Sequence, residues 1–196
     1  MIRLSTETRQ AQIKEAVLEI ISSEGLSKLS TKNLAAKVGV SEGAIYRHFK
    51  SKKDILLSVI EDVQYNLVIN QKTISESEMT PPIKLFTFLC KQIKYLINNK
   101  GVTILLLSHA NNANDSDLKD KLLEILIAQK EMLKNIVEEG INKGVWDKNL
   151  DCNAFVTLYM GIPAILNIEL VLNKGTFNHE NFCNKMFILL ERILKM

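Results

Sequence analysis

Between Ser30 and Phe49 the chain reads "STKNLAAKVGVSEGAIYRHF", two short apolar-periodic runs that meet at one glycine. Leu34, Ala35 and Val38 recur at helical spacing, and Ser30 or Thr31 can accept a bond from the free N–H groups at the start of that helix. Gly39 ends the helix and Val40 plugs the core. Ser41 then caps a second short helix, expected over Glu42 to Phe49, with Glu42 in the first turn of its dipole. Before this pair, Thr6 to Glu24 reads as a helix whose Ile13, Ala16, Val17, Ile20 and Ile21 make one buried stripe, stopped by Gly25.

Two short helices joined by a tight glycine turn are a helix-turn-helix, in which the second helix enters the major groove. The surface of that second helix is unusual. Small residues stand at Gly43 and Ala44, an aromatic hydroxyl follows at Tyr46, and Arg47, Lys50, Lys52 and Lys53 cluster just beyond. Charge is skewed the same way: residues 1–56 carry +4 and the remainder −1. That skew fits a small nucleic-acid-binding module on a neutral body, or chance in a slightly basic chain, and charge alone leaves both open.

The rest of the chain is predicted to be helical, because 196 residues contain only 8 Gly and 3 Pro while apolar residues recur at spacings of three and four. A helix from Lys52 to about Thr73 is followed by the polar, proline-stopped "SESEMTPP". Further helices are expected at Ile83–Asn98, Val102–His109, Leu118–Gly140, Asn153–Asn173 and Asn178–Leu194, with Trp146 tucking in from the loop before the last two. "DSD" at Asp115 to Asp117 reads as a helix cap rather than an acid–base pair.

Cys90, Cys152 and Cys183 are odd in number and far apart, which argues against a disulfide framework and for a reducing, cytoplasmic setting. The N-terminus has no apolar signal-type core. Ala154 to Leu172 approaches spanning length, but Asn167 and Glu169 interrupt it, so a buried or interfacial helix is expected and no membrane. His179 and Cys183 are four apart, yet two ligands do not make a zinc site. Scattered histidines and cysteines form no catalytic dyad or triad. No enzyme, metal or cofactor is expected.

The series from Leu29 to Leu56, Leu-Ala, Gly-Val-Ser, Gly-Ala-Ile-Tyr, His-Phe and then Lys and Leu at fixed spacing, resembles the DNA-binding domain of the TetR family of transcriptional regulators. The likeness covers about residues 8–60; beyond it the chain resembles the family only in layout. The resemblance implies an all-α fold: a helix-turn-helix domain over residues 1–52, with its motif at about 30–49, and a helical ligand-binding and dimerisation domain over 53–196. It implies a homodimer that binds a palindromic operator in double-stranded DNA, most often as a repressor, and lets go when a small molecule binds. A nucleoid-associated structural protein without an inducer is the alternative.

Within the motif, Gly43 and Ala44 are small enough to let the helix sit deep in the groove. Ser41 and Thr31 are phosphate candidates, Lys32 reaches a base or phosphate, and Arg47 reaches phosphate or guanine. Tyr46 and His48 donate to phosphate, with Tyr46 alternatively on a thymine methyl, and Lys52 adds charge at a helix start. Glu42 is either a dipole partner or an acceptor for cytosine N4. For the body, candidate ligand contacts are Phe86, Leu89, Cys90, Ile93, Leu105, His109, Leu126, Gln129, Phe155 and Tyr159, against the alternative that they are ordinary core. Dimer contacts are expected from Leu158, Ile162, Ile165, Phe182, Met186, Leu189 and Ile193 on the last two helices.

Overall fold

The computed structural model describes residues 5–173 and 179–195, and among these there are ten α-helices and no strand. They run α1 Thr6–Glu24, α2 Thr31–Val38, α3 Glu42–Tyr46, α4 Lys52–Gln64, α5 Asn70–Ser75, α6 Pro81–Asn98, α7 Val102–Asn112, α8 Ser116–Asn142, α9 Cys152–Leu172 and α10 His179–Leu194. Asn178, expected to open the last helix, lies outside the described residues.

Short polar side chains start α1 to α4 and α8. Ser5, Ser30, Ser41 and Ser51 each accept a bond from the backbone N–H three residues on, as does Asp115 from Leu118, so orphan donors at these helix starts are satisfied locally. Gly39 ends α2 at φ 74° and ψ 38°, a left-handed conformation that lets the Val40 N–H return to the Ala35 carbonyl at 2.9 Å.

Two of the expected helices are revised. The recognition helix is shorter than its sequence suggests: the Ile45 carbonyl accepts from both His48 at 2.9 Å and Phe49 at 3.1 Å, which unwinds the chain after Tyr46 and turns Phe49 inward. The helix expected from Lys52 to Thr73 is broken in character by a π-turn over Tyr65–Ile69, where the Asn70 N–H reaches the Tyr65 carbonyl. The wider turn inserts a residue into the ladder. It keeps Leu67 inward while bringing Gln71 and Ile74 inside as well.

Two apolar clusters result. The first joins Ile13, Val17, Ile20, Leu34, Ile45, Leu56 and Ile60 to Leu67, and continues into Val102, Leu106 and Ala110 of α7 and Leu118 and Ile125 of α8. The helix-turn-helix is therefore packed onto the body and not tethered to it by a loop. The second gathers Leu85, Phe88, Leu89, Ile93, Leu133, Val137, Trp146, Phe155, Tyr159 and Leu190. A buried lysine links three helices: Lys84 Nζ meets Oε2 of the half-buried Glu139 at 2.7 Å and donates to the Ser75 carbonyl at 3.0 Å, tying α5, α6 and α8 together.

By length and composition α9 could cross a membrane. Its Phe155, Val156, Tyr159, Pro163 and Leu166 are instead buried against the other helices, and the helix runs on through Pro163.

Candidate functional site

The α2–turn–α3 unit has a buried side and an exposed one. Ile45 and Phe49 are buried beneath it and lock α3 onto the core. Above it, Lys32, Ser41, Gly43, Tyr46 and Arg47 are exposed, while Thr31, Ala44, His48 and Lys52 are half-buried. All nine residues expected to meet DNA lie on this unit or at the adjoining start of α4.

A small hydrogen-bonded strut links the two helices. Thr31 Oγ1 donates to Glu42 Oε2 at 3.0 Å, and Tyr46 Oη lies 3.5 Å from Thr31 Oγ1. Glu42 is thus a partner for a neighbouring hydroxyl as well as a first-turn anion on its own helix. The Asp54 backbone N–H donates to Ser51 Oγ at 3.0 Å, while the Asp54 carboxylate accepts from the Lys50 N–H at 3.0 Å, and together these shape the turn into α4.

The cations divide into two groups. Lys37 pairs with Glu19, and Lys53 pairs with Asp115 and Asp117. Lys32, Arg47, Lys50 and Lys52 make no ion pair among the described residues. Lys53 belongs to the basic cluster by sequence, and tertiary pairing removes it. Gly43 is informative for the opposite reason. A Cβ there would meet only Ser41 Oγ, at 4.0 Å. Nothing inside the protein requires glycine at a position where it costs about 0.5–1 kcal/mol relative to alanine.

Below the helix-turn-helix lies a cleft of about 370 Å³ between α4, the π-turn and α6 to α9. Val63, Leu67, Leu96, Ile125, Leu126, Met160 and Pro163 form apolar walls, and Gln92, Thr103, Gln129, Asn167 and Lys119 are the polar groups. Several of these are already organised. Thr103 Oγ1 donates to Asn167 Oδ1 at 2.9 Å, Tyr159 Oη to Gln92 Oε1 at 3.3 Å, and Gln129 Nε2 to Gln71 Oε1 at 3.3 Å. The Gln71 Nε2 is buried with no partner among the described residues.

The residues expected to contact a ligand scatter. Leu126 and Gln129 line this cleft, whereas Phe86 and Cys90 line a separate one between α6 and α10. Leu89, Ile93, Phe155 and Tyr159 are buried in the second apolar cluster and are not among the residues that line either cleft. Leu105 packs on the first cluster. His109, also on α7, is half-buried beside Lys52 and Asp115; burial, reinforced by the Lys52 charge, holds its pKa below the ordinary value. Gln92, Thr103 and the buried Gln71 escape sequence reasoning, because a lone glutamine or threonine on an apolar helix carries no pattern.

On α9 and α10, Leu158, Ile165 and Leu189 are exposed, as are Ile168, Leu172 and Ile188 beside them. Ile162, Phe182, Met186 and Ile193 are half-buried and pack partly into the second cluster. Gly161 sits on the exposed side with nothing within 4 Å of a built Cβ. Among the described residues no cluster of three or more His, Cys, Asp or Glu could hold a metal. The side chain of His179, one half of the weak metal pair, lies outside the described residues.

This geometry defines a helix-turn-helix DNA-binding protein with a helical body. Residues 13–59 match the family model of bacterial regulatory proteins, tetR family. The nucleoid occlusion factor SlmA of Haemophilus ducreyi is 30% identical over 139 residues, covering 70% of this chain and 69% of that protein. The fatty acid metabolism regulator protein of Bacillus subtilis is 28% identical over 140 residues, covering 71% and 72%. Among solved structures, FadR of Bacillus subtilis in complex with stearoyl-CoA superposes with a TM-score of 0.74 at 25% identity, covering 92% of this chain and 96% of that one. The chain belongs to the TetR family of transcriptional regulators and is a DNA-binding regulator.

Proposed function

We propose that the chain is a ligand-responsive repressor: as a homodimer it holds a palindromic operator, and a small hydrophobic or amphipathic molecule in the central cleft releases it. In this reading residues 1–52 contact DNA through Thr31, Lys32, Ser41, Gly43, Ala44, Tyr46, Arg47, His48 and Lys52, and residues 53–196 bind the effector and the second subunit.

One observation carries the reading. Helix α4 is shared: its Ile55, Leu56 and Ile60 are buried in the helix-turn-helix core, while Val63 and, on the following π-turn, Leu67 line the cleft. A ligand that repacks Val63 and Leu67 acts on the same helix that carries the DNA-binding unit. It shifts the population only by its differential affinity for the two states. The cleft's mix of apolar wall and few polar groups suits such a ligand. The likeness to the stearoyl-CoA complex makes long acyl thioesters the first class to try.

The dimer reading is supported by the exposed stripe Leu158, Gly161, Ile165 and Ile168, whose spacing repeats along one face of α9. A face that is apolar, exposed and interrupted by glycine suits the close approach of another helix. Two-fold symmetry would set the recognition helices roughly 34–36 Å apart, one turn of DNA.

Selection of binding sites from a random duplex pool at a stated salt concentration, followed by effector titration, tests both parts. A palindromic consensus whose affinity falls on adding an acyl thioester is the expected outcome. The similarity to nucleoid occlusion factors favours a second reading, a nucleoid-associated structural protein. Weak enrichment, steep salt dependence and no response to any ligand would replace the first reading by the second.

A further inference from the structure

Cys90 on α6 and Cys183 on α10 lie outside the central cleft and outside the DNA-binding face. Both line a second cleft of about 430 Å³, with Lys91 and Lys94 on one wall and Glu180 on the other. The two helices that carry them are packed together along their length, so neither thiol has to travel to find the other. Each thiol is the main influence on the other's proton affinity.

We propose that Cys90 and Cys183 form an oxidisable dithiol, in which Cys183 attacks a hydroperoxide entering the second cleft and Cys90 closes a disulfide between α6 and α10. The reading needs neither an operator nor an effector and stands apart from the repressor proposal.

The division of labour follows from that influence. Cys90 holds the Cys183 thiol below its ordinary pKa against the opposing effects of burial and of Glu180. Cys183, with burial, pushes the Cys90 thiol far up. The thiolate is the nucleophile, so Cys183, which is 1% exposed and is reached only where it lines the second cleft, reacts first. Its sulfur lone pair attacks the peroxide O–O bond; Cys183–SOH forms and an alcohol, or water from hydrogen peroxide, leaves with the displaced proton. The Cys90 thiol then attacks the sulfenic sulfur, the S–S bond forms, and water leaves. Two thiols and one hydroperoxide give one disulfide, one alcohol and one water, with the hydroperoxide taking two electrons.

Helix α6 also supplies Gln92 and Leu96 to the central cleft, two and six residues beyond Cys90. A cross-link at Cys90 thus fixes a wall of that cleft against α10. The disulfide is a second input to the same scaffold, chemically separate from ligand binding.

The test treats the purified full chain with hydrogen peroxide and, in a second arm, with cumene hydroperoxide. Thiols are counted in denaturant and peptides mapped without reduction. The chain's three thiols should fall to Cys152 alone, with a Cys90–Cys183 peptide inside one chain. The faster arm names the oxidant class. C90S should accumulate a dimedone-reactive sulfenic acid at Cys183, and C183S should resist the dose that oxidises the wild type. Retention of all three thiols, or a Cys152-linked pair of chains as the main product, would overturn the proposal. So would oxidation of a folded C183S at the wild-type rate. If C183S does not fold, the wild-type peptide map decides.

Discussion

Lys53, in the first turn of α4, places its Nζ 2.6 Å from Asp117 Oδ2 and 3.0 Å from Asp115 Oδ1 at the start of α8. One ammonium thus bridges the helix that leaves the DNA-binding unit and the longest helix of the body. Asp115 is at the same time the N-cap of α8, accepting from the Leu118 N–H at 3.3 Å.

The Lys53 bond is the main reason the Asp115 carboxyl sits below its ordinary pKa. A carboxyl with a depressed folded pKa adds stability that is present above its unfolded value, near 3.8, and lost as pH falls through the folded value. Lys53→Met should return the Asp115 titration toward 3.8, read by carboxyl-carbon NMR. It should also flatten the acid limb of the stability curve. An unchanged Asp115 titration would show that the pair is not formed in solution.

Gly43→Ala separates fold from recognition. Because a Cβ there has free space, the variant should be as stable as wild type or more so, by up to about 1 kcal/mol from helix propensity. Its affinity for a selected operator should fall at least tenfold, because the added methyl meets the groove. Thermal unfolding and anisotropy titration measure the two effects. A loss of stability would point to a packing role that this geometry does not contain.

Lys84→Met removes the ammonium that is buried between Glu139 and the Ser75 carbonyl. Glu139 keeps Lys143 at 2.6 Å, so its charge is not left alone. The carbonyl loses its donor, and the loss expected from urea unfolding is about 1–3 kcal/mol, the cost of a polar group left without its partner. A change under about 0.5 kcal/mol, the scatter of ordinary surface substitutions, would mean that the methionine side chain replaces the pair by packing.

Gly140→Ala tests the seat of Trp146. A Cβ at Gly140 would lie 2.0 Å from the ring, far inside contact distance. The ring must move, at an expected cost of about 1–3 kcal/mol. Trp146 is the single tryptophan of the chain, so red-shifted emission reports the displacement directly. Native emission with unchanged stability would place the ring elsewhere.

Local chemistry makes most of the helix-turn-helix legible in the amino-acid sequence. Ser30, Gly39 and Ser41 act on backbone groups within five residues, and their effect does not depend on what lies across the core. The apolar spacing of α1 and α4 likewise names a buried face without naming its partner. That Asp115 caps a helix is readable for the same reason; that it also holds Lys53 is not, because those residues are brought together only by the fold.

The body shows the same boundary. Leu89, Ile93, Phe155 and Tyr159 have the composition of a ligand wall and pack in the second cluster, while Leu126 and Gln129 face a cleft. An apolar side chain has the same transfer free energy against a neighbour or against a ligand, so periodicity cannot separate the two. Caps, stops and helical period act over a few residues, and they are enough to set the class of fold and the face that α3 turns outward. Where a cleft remains, which lysines stay unpaired and which two cysteines line one cleft are matters of packing. Each of those depends on distances between residues far apart in the chain.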